Sequence, residues 1–133
     1  LARTVKLGSS QPTELKETAK AVEEGMEAVL SCLRADVPAS EVHRQWQLVL
    51  SRHNMEKKSR IGYSIGVGYP PDWGEHTISF RQEEKCMVPE NAVVHIILGM
   101  WMTGWGMEVS ETVHVRERDC VSLSKLSREV HQI

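Results

Sequence analysis

Apolar residues recur every three or four positions in the first part of the chain, in two stretches that each follow a proline. The first stretch follows Pro12 and contains Leu15, Ala19, Val22, Met26, Val29, Leu30 and Leu33. The second covers residues 40–53 after Pro38 and contains Val42, Trp46, Val49 and Leu50. This spacing is typical of amphipathic α-helices. The sequence therefore predicts two helices, with Cys32 in the core and His43 and His53 exposed.

The second half of the chain is patterned as strands. Residues 92–102 are apolar except for His95 and Gly99, which predicts a strand buried on both faces. After a turn at Thr103 and Gly104, residues 107–117 alternate between two faces. One face carries Met107, Val109, Glu111, Val113 and Val115, and the other carries Glu108, Ser110, Thr112, His114 and Arg116. The two segments predict an antiparallel hairpin.

These elements together predict an α+β fold of one domain, in which two helices pack on a curved antiparallel sheet. Short strands are also predicted at residues 4–7, 77–80 and 121–126, whereas residues 127–133 show no pattern. The helices cover one face of the sheet. The other face, which carries His95 and Glu108, needs a different cover. Because the chain begins without Met, directly before a strand-like segment, we expect it to be part of a longer polypeptide.

Composition narrows the class of protein. The chain has 133 residues, of which 41% are hydrophobic and 26% charged, and its net charge is −2 without a basic run. This balance argues against nucleic-acid binding, and no apolar run is long enough to span a membrane. The three cysteines form no CxxC pair, and no signal peptide is visible at the start. The sequence therefore predicts a cytoplasmic protein with reduced thiols.

The most constrained segment covers residues 62–76. Glycines and prolines at six of its positions shape the backbone: Gly62, Gly66, Gly68, Pro70, Pro71 and Gly74. Between them lie the polar and aromatic residues Tyr63, Tyr69, Asp72, Trp73, Glu75 and His76. Loops of defined shape on a rigid scaffold often carry binding sites. The segment is therefore predicted to bind a ligand.

In the order of its elements and in its motifs, the chain resembles the C-terminal half of the pita-bread catalytic domain. That fold occurs in methionine and Xaa-Pro aminopeptidases, prolidases and creatinase. The motifs most closely resemble those of ectoine hydrolases: Gly-Tyr-Ser-Ile-Gly at 62–66, Tyr-Pro-Pro-Asp-Trp-Gly-Glu at 69–75, Trp-Met at 101–102 and Trp-Gly-Met-Glu at 105–108. The resemblance implies that residues 1–133 form the C-terminal part of such a domain, without its N-terminal domain and upstream strands. It also implies a homodimer.

The resemblance further implies which residues replace the metal ligands of the related peptidases. Those enzymes hold two metal ions with five side chains, and three of the five positions fall here on Tyr63, Ile97 and Ser110. The other two, both Asp, would precede Leu1. Because such ions require imidazole or carboxylate donors, the sequence predicts an enzyme without metal or other cofactor. Creatinase hydrolyses C–N bonds on this fold without metal, so catalysis remains compatible with this change.

Strand alternation places further chemistry beside these positions, since His95 shares a face with Ile97, and Glu108 shares one with Ser110. We predict Glu108, His95 and Tyr63 as catalytic residues that act on a small cyclic amidine such as ectoine. The predicted substrate-binding residues are Tyr69, Asp72, Trp73, Glu75, Trp101, Trp105 and Ser110. No metal site is predicted.

Structural roles are open for the same residues. His95 can be a buried histidine bonded to a backbone carbonyl, and the tryptophans can serve packing alone. Glu111, on an apolar face, is interpreted as a structural buried carboxylate paired with an arginine such as Arg81 or Arg116. Two other functions remain open: a creatinase- or prolidase-like hydrolase of another small substrate, and a catalytically silent fragment or binding module.

Overall fold

The computed structural model describes residues 1–66 and 77–133. Two helices precede the main sheet, α1 at Thr13–Cys32 and α2 at Ala39–Arg52. Each begins directly after a proline, Pro12 and Pro38, whose φ angles of −57° and −60° suit the entry into a helix. The predicted helices are thus confirmed to within one or two residues at each end.

The main sheet has four antiparallel strands in the order β2–β3–β4–β5. Their bounds are Gly62–Ser64, Val93–Met102, Trp105–Val115 and Cys120–Ser122. The predicted hairpin is β3 and β4, joined through Gly104, whose φ of +83° is easily adopted by glycine. The α+β prediction is confirmed.

Both helices pack on one face of this sheet. The even-numbered side chains of β3, namely Val94, Ile96, Leu98 and Met100, are buried there with the apolar stripe of the helices. The odd-numbered side chains of β3 point to the opposite face, which we call the open face. His95 and Ile97 are only half-buried there, and Trp101 is 70% exposed. The prediction that β3 is buried on both faces was therefore wrong, because the described residues supply one helical layer only.

Other expectations also need correction. His43 is buried in α2 and bonded to Gln47, and the half-buried His53 contacts the Glu24 carboxylate at 2.9 Å, so neither histidine is fully exposed. Cys32 is only half-buried, although it packs against the core as expected. In the predicted strand at residues 77–80, only Ser79 forms an isolated bridge, to Tyr63.

The two ends of the chain form a second, small sheet. Strand β1, Val5–Lys6, pairs in parallel with β6, His131–Gln132. The pattern at residues 4–7 indicated the first of these strands, but nothing in residues 127–133 indicated the second. Neither described helix is long and apolar enough to cross a lipid bilayer.

Candidate active site on the open face

The register of the sheet arranges the open face in rows that run across the strands. Tyr63, His95 and Thr112 form the first row, and Ile97 pairs with Ser110 in the second. Gly99 pairs with Glu108 in the third row, and Trp101 pairs with Gly106 in the fourth. The face therefore carries polar or aromatic side chains at both ends and an aliphatic side chain near its centre.

Contacts in the first row connect three side chains. The rings of Tyr63 and His95 lie 5.8 Å apart between centroids, tilted by 44°. Nδ1 of His95 lies 3.0 Å from the Thr112 hydroxyl. The Arg60 guanidinium lies over the Tyr63 ring, 5.0 Å from its centroid. Burial lowers the pKa of His95, so its imidazole is neutral at pH 7.

At the other end, Trp101 and Glu108 lie together over two glycines. A Cβ atom added at Gly106 would lie 2.6 Å from the Trp101 ring. One added at Gly99 would lie 3.3 Å from that ring and 3.4 Å from Oε2 of Glu108. The indole therefore lies across both glycines, and the Glu108 carboxylate is beside it. The Thr4 hydroxyl fixes the backbone of Glu108 by hydrogen bonds to its N–H and C=O, both 2.9 Å long.

The central row lacks the donors of a divalent metal site. Ile97 offers only hydrocarbon, and the buried Ser110 hydroxyl has no hydrogen-bond partner in the described part of the chain. No group of three His, Cys, Asp or Glu side chains among the described residues is placed to hold an ion. A neutral hydroxyl, a phenol and an alkyl group do not fit a two-metal centre.

The structure brings together only part of the predicted site. Tyr63 and His95 are in contact, whereas Glu108 lies on the same face but four strand positions from His95, about 13 Å along β3. Trp101 flanks Glu108, but Trp105 packs against the core beside Leu15, on the helix side of the sheet. Tyr69, Asp72, Trp73 and Glu75, as well as His76, lie outside the described residues.

Sequence reasoning did not identify three residues that contact this site. Thr112 was placed on the correct face but given no partner, and Arg60 and Lys57 precede β2 in a segment without periodicity. The Lys57 ammonium donates a hydrogen bond to the carbonyl of Gly99. The available signal was a group of three cationic residues, Lys57, Lys58 and Arg60, just before the predicted ligand-binding segment.

Glu111 is buried and paired with arginines, as expected, but these are not the two arginines named as examples. Its side chain is 1% exposed and accepts hydrogen bonds from Arg3 at 2.5 Å, Arg128 at 3.0 Å and Ser122 at 2.6 Å. The partners proposed from sequence are engaged elsewhere: Arg81 lies 3.7 Å from a carboxylate oxygen of Glu84, and Arg116 lies 2.5 Å from one of Asp119. In both pairs the two residues are three positions apart in sequence, so each arginine bonds to a nearby carboxylate at the surface instead of reaching Glu111.

Comparisons with known proteins agree with this architecture. The chain is 29% identical over 131 residues to an ectoine hydrolase of Halomonas elongata, covering 98% of this chain and 33% of that protein. The dipeptidase PepE of Mycobacterium ulcerans superposes with a TM-score of 0.87 at 19% identity, over 98% of this chain and 34% of that one. An X-Pro aminopeptidase of Thermotoga maritima superposes with a TM-score of 0.84 at 22% identity, over 98% of this chain and 36% of that one.

The chain thus spans about a third of the length of these relatives. Its two helices and four-stranded sheet correspond to the C-terminal half of a pita-bread domain, as the sequence motifs implied. The model of metallopeptidase family M24 matches residues 1–117. On the evidence of that match, the chain belongs to metallopeptidase family M24.

Proposed function

We propose that this chain forms part of a hydrolase that cleaves a C–N bond in a small cyclic amidine such as ectoine, without a metal ion. One observation carries the proposal: the central row of the open face offers no metal donor, while groups suited to proton transfer flank it. The similarity to an ectoine hydrolase supports the class of substrate. The upstream part of the intact protein, and its partner in a cytoplasmic homodimer, complete the site in this proposal.

The geometry of the open face suits a small substrate. With His95 and Glu108 about 13 Å apart at the backbone, their side chains can reach opposite sides of one ring placed over Ile97 and Ser110. The amidinium lies against the Trp101 indole and near Glu108. Water adds to the amidine carbon, one C–N bond breaks, and the leaving nitrogen gains a proton. His95 takes a proton from the attacking water, the Glu108 carboxylate takes the hydroxyl proton of the adduct and passes it to the leaving nitrogen, and Tyr63 orients the ring.

The role of His95 predicts a specific pH dependence. A base must be neutral to accept a proton, and burial lowers the pKa of His95 below its ordinary value of about 6.5. We expect kcat/KM for ectoine to be independent of pH near 7 and to fall at a pH below that ordinary value. His95→Asn should lower kcat about 10²-fold or more and remove this acid limb. If the variant shows the same fall in kcat/KM at acid pH, the titrating group is not His95.

The donor chemistry of the central row predicts the response to chelators. We expect the intact, active protein to contain no stoichiometric zinc, manganese or cobalt by elemental analysis. Its rate of ectoine hydrolysis should not change after dialysis against EDTA. Loss of activity on chelation, restored by a divalent ion, would overturn the metal-independent mechanism.

A second candidate is a creatinase- or prolidase-like hydrolase of another small substrate. It is favoured by the superposition on a dipeptidase and an X-Pro aminopeptidase. The two candidates differ in the ligand that the open face accepts, so hydrolysis of ectoine compared with creatine and with Xaa-Pro dipeptides separates them.

A further inference from the structure

Lys57 lies at the edge of the sheet, just beyond the point where β2 stops pairing with β3. The Ile61 carbonyl accepts a hydrogen bond from the Ile97 N–H at 2.7 Å, and Gly99 lies two residues further along β3. The Lys57 ammonium donates to this carbonyl. Gln47 of α2 donates to the carbonyl of Lys57 at 2.8 Å, which fixes the lysine backbone against the helix.

Lys57 and the Trp101–Glu108 pair meet around Gly99. The carbonyl of Gly99 accepts a hydrogen bond from the Lys57 ammonium. The space that a side chain at Gly99 would fill is bordered by the Trp101 indole and the Glu108 carboxylate. Lys57 and Trp101 also line one cavity of about 250 Å³. A cation, an aromatic face and an anion therefore surround a single strand position.

Within residues 1–66 and 77–133, the charge of Lys57 is only partly compensated. An ammonium has three N–H donors, and the Gly99 carbonyl uses one. No described carboxylate lies within ion-pair distance of the other two. Burial lowers the pKa of Lys57, and the charge of Glu108 opposes this only in part. A partly desolvated cation attracts an anion more strongly than an exposed one does.

We infer that Lys57 binds the carboxylate of a zwitterionic substrate whose cationic end lies between Trp101 and Glu108. This inference rests on the proposed function and specifies it. Ectoine has both groups, a delocalised cation and a carboxylate on one small ring. Electrostatic complementarity at both ends selects zwitterions over simple amidines. Lys57 is a substrate-binding residue in this scheme, and the chemistry of bond cleavage lies with Glu108 and His95.

A matched pair of ligands tests the inference. We expect wild-type intact protein to bind ectoine about tenfold or more tightly than the carboxamide of ectoine, in which an uncharged amide replaces the carboxylate. Calorimetric titrations at low temperature, where turnover is slow, measure both affinities. Lys57→Met should weaken ectoine binding about tenfold or more and leave carboxamide binding unchanged, since hydrogen bonds to charged groups are among the strong ones. Lys57→Arg, which keeps the positive charge, should retain part of the preference for ectoine over its carboxamide.

Controls separate recognition from support of the strand edge. Lys58→Met removes the neighbouring ammonium, which is exposed and lies 3.2 Å from Glu56, and should bind both ligands as wild type does. If Lys57→Met weakens both ligands equally, the lysine only supports the edge of β3, and the inference fails. If Arg60→Met abolishes the preference instead, Arg60 is the anchor and the inference also fails. If wild-type protein binds neither ectoine nor creatine, the proposed function itself is overturned.

Discussion

Glu108→Gln should reduce kcat for ectoine hydrolysis by about 10²- to 10⁴-fold, the usual contribution of a positioned acid or base. The substitution retains the size of the side chain and its position beside Gly99, but it removes the charge and the ability to transfer a proton. The backbone of Glu108 stays bonded to Thr4, so the fold should persist. Initial rates of the intact enzyme, with circular dichroism as a check on folding, measure this effect.

The control for this prediction is Glu117→Gln, which makes the same chemical change at an exposed position beyond the end of β4. Its kcat should equal that of the wild type. If Glu108→Gln retains near-normal turnover, Glu108 has no part in the reaction, and catalysis must depend on His95 and on groups outside the described residues.

Glu111→Ala should lower the free energy of unfolding by about 3–5 kcal/mol, the cost of breaking a buried ion pair by removing one partner. The carboxylate is fully buried and joins Arg3 to Arg128. Without it, two guanidinium groups lose their charged partner at low dielectric. Arg3 also donates to the carbonyls of Ser127 at 2.6 Å and Leu126 at 3.0 Å, so the C-terminal segment should loosen as well. Urea unfolding measures the change.

The pH dependence of this effect has a defined sign. Burial, the largest single influence, raises the pKa of Glu111, but the bonds from Ser122, Arg128 and Arg3 together lower it below the ordinary value. A lowered carboxyl pKa stabilises the fold above the unfolded-state pKa of about 4.3, and this contribution is lost as the pH falls through the folded-state pKa. The difference between wild type and Glu111→Ala should therefore be largest at neutral pH and shrink in acid.

A surface ion pair supplies the comparison for Glu111. Glu41 binds Arg44 at 2.7 Å on the solvent side of α2. Such exposed pairs contribute at most about 1 kcal/mol, so Glu41→Ala should have a small effect. Equal losses for the two alanine variants would show that the buried network stabilises the fold no more than an exposed ion pair does.

Local patterns in the sequence were enough to predict two helices followed by an antiparallel sheet, and to assign the side chains of β4 to its two faces. The spacing of Leu15, Val22, Met26 and Val29 determines a helix because side chains three and four apart share one face. The alternation along residues 107–115 places Glu108, Ser110 and Thr112 on one side of β4 for the same local reason. The motifs around Gly62 and Trp105 also indicated the family, which the match over residues 1–117 shows.

Which distant groups come into contact could be seen only in the folded chain. Periodicity assigns a residue to a face but not to a partner, so the sequence placed Glu111 on an apolar face and did not reveal its bonds to Arg3 and Arg128, 108 and 17 residues away. The pairing of β1 with β6 and the contact between Lys57 and Gly99 likewise depend on how the layers pack. These contacts join segments that are far apart in the chain, and their energy comes from burial and charge compensation in the folded state.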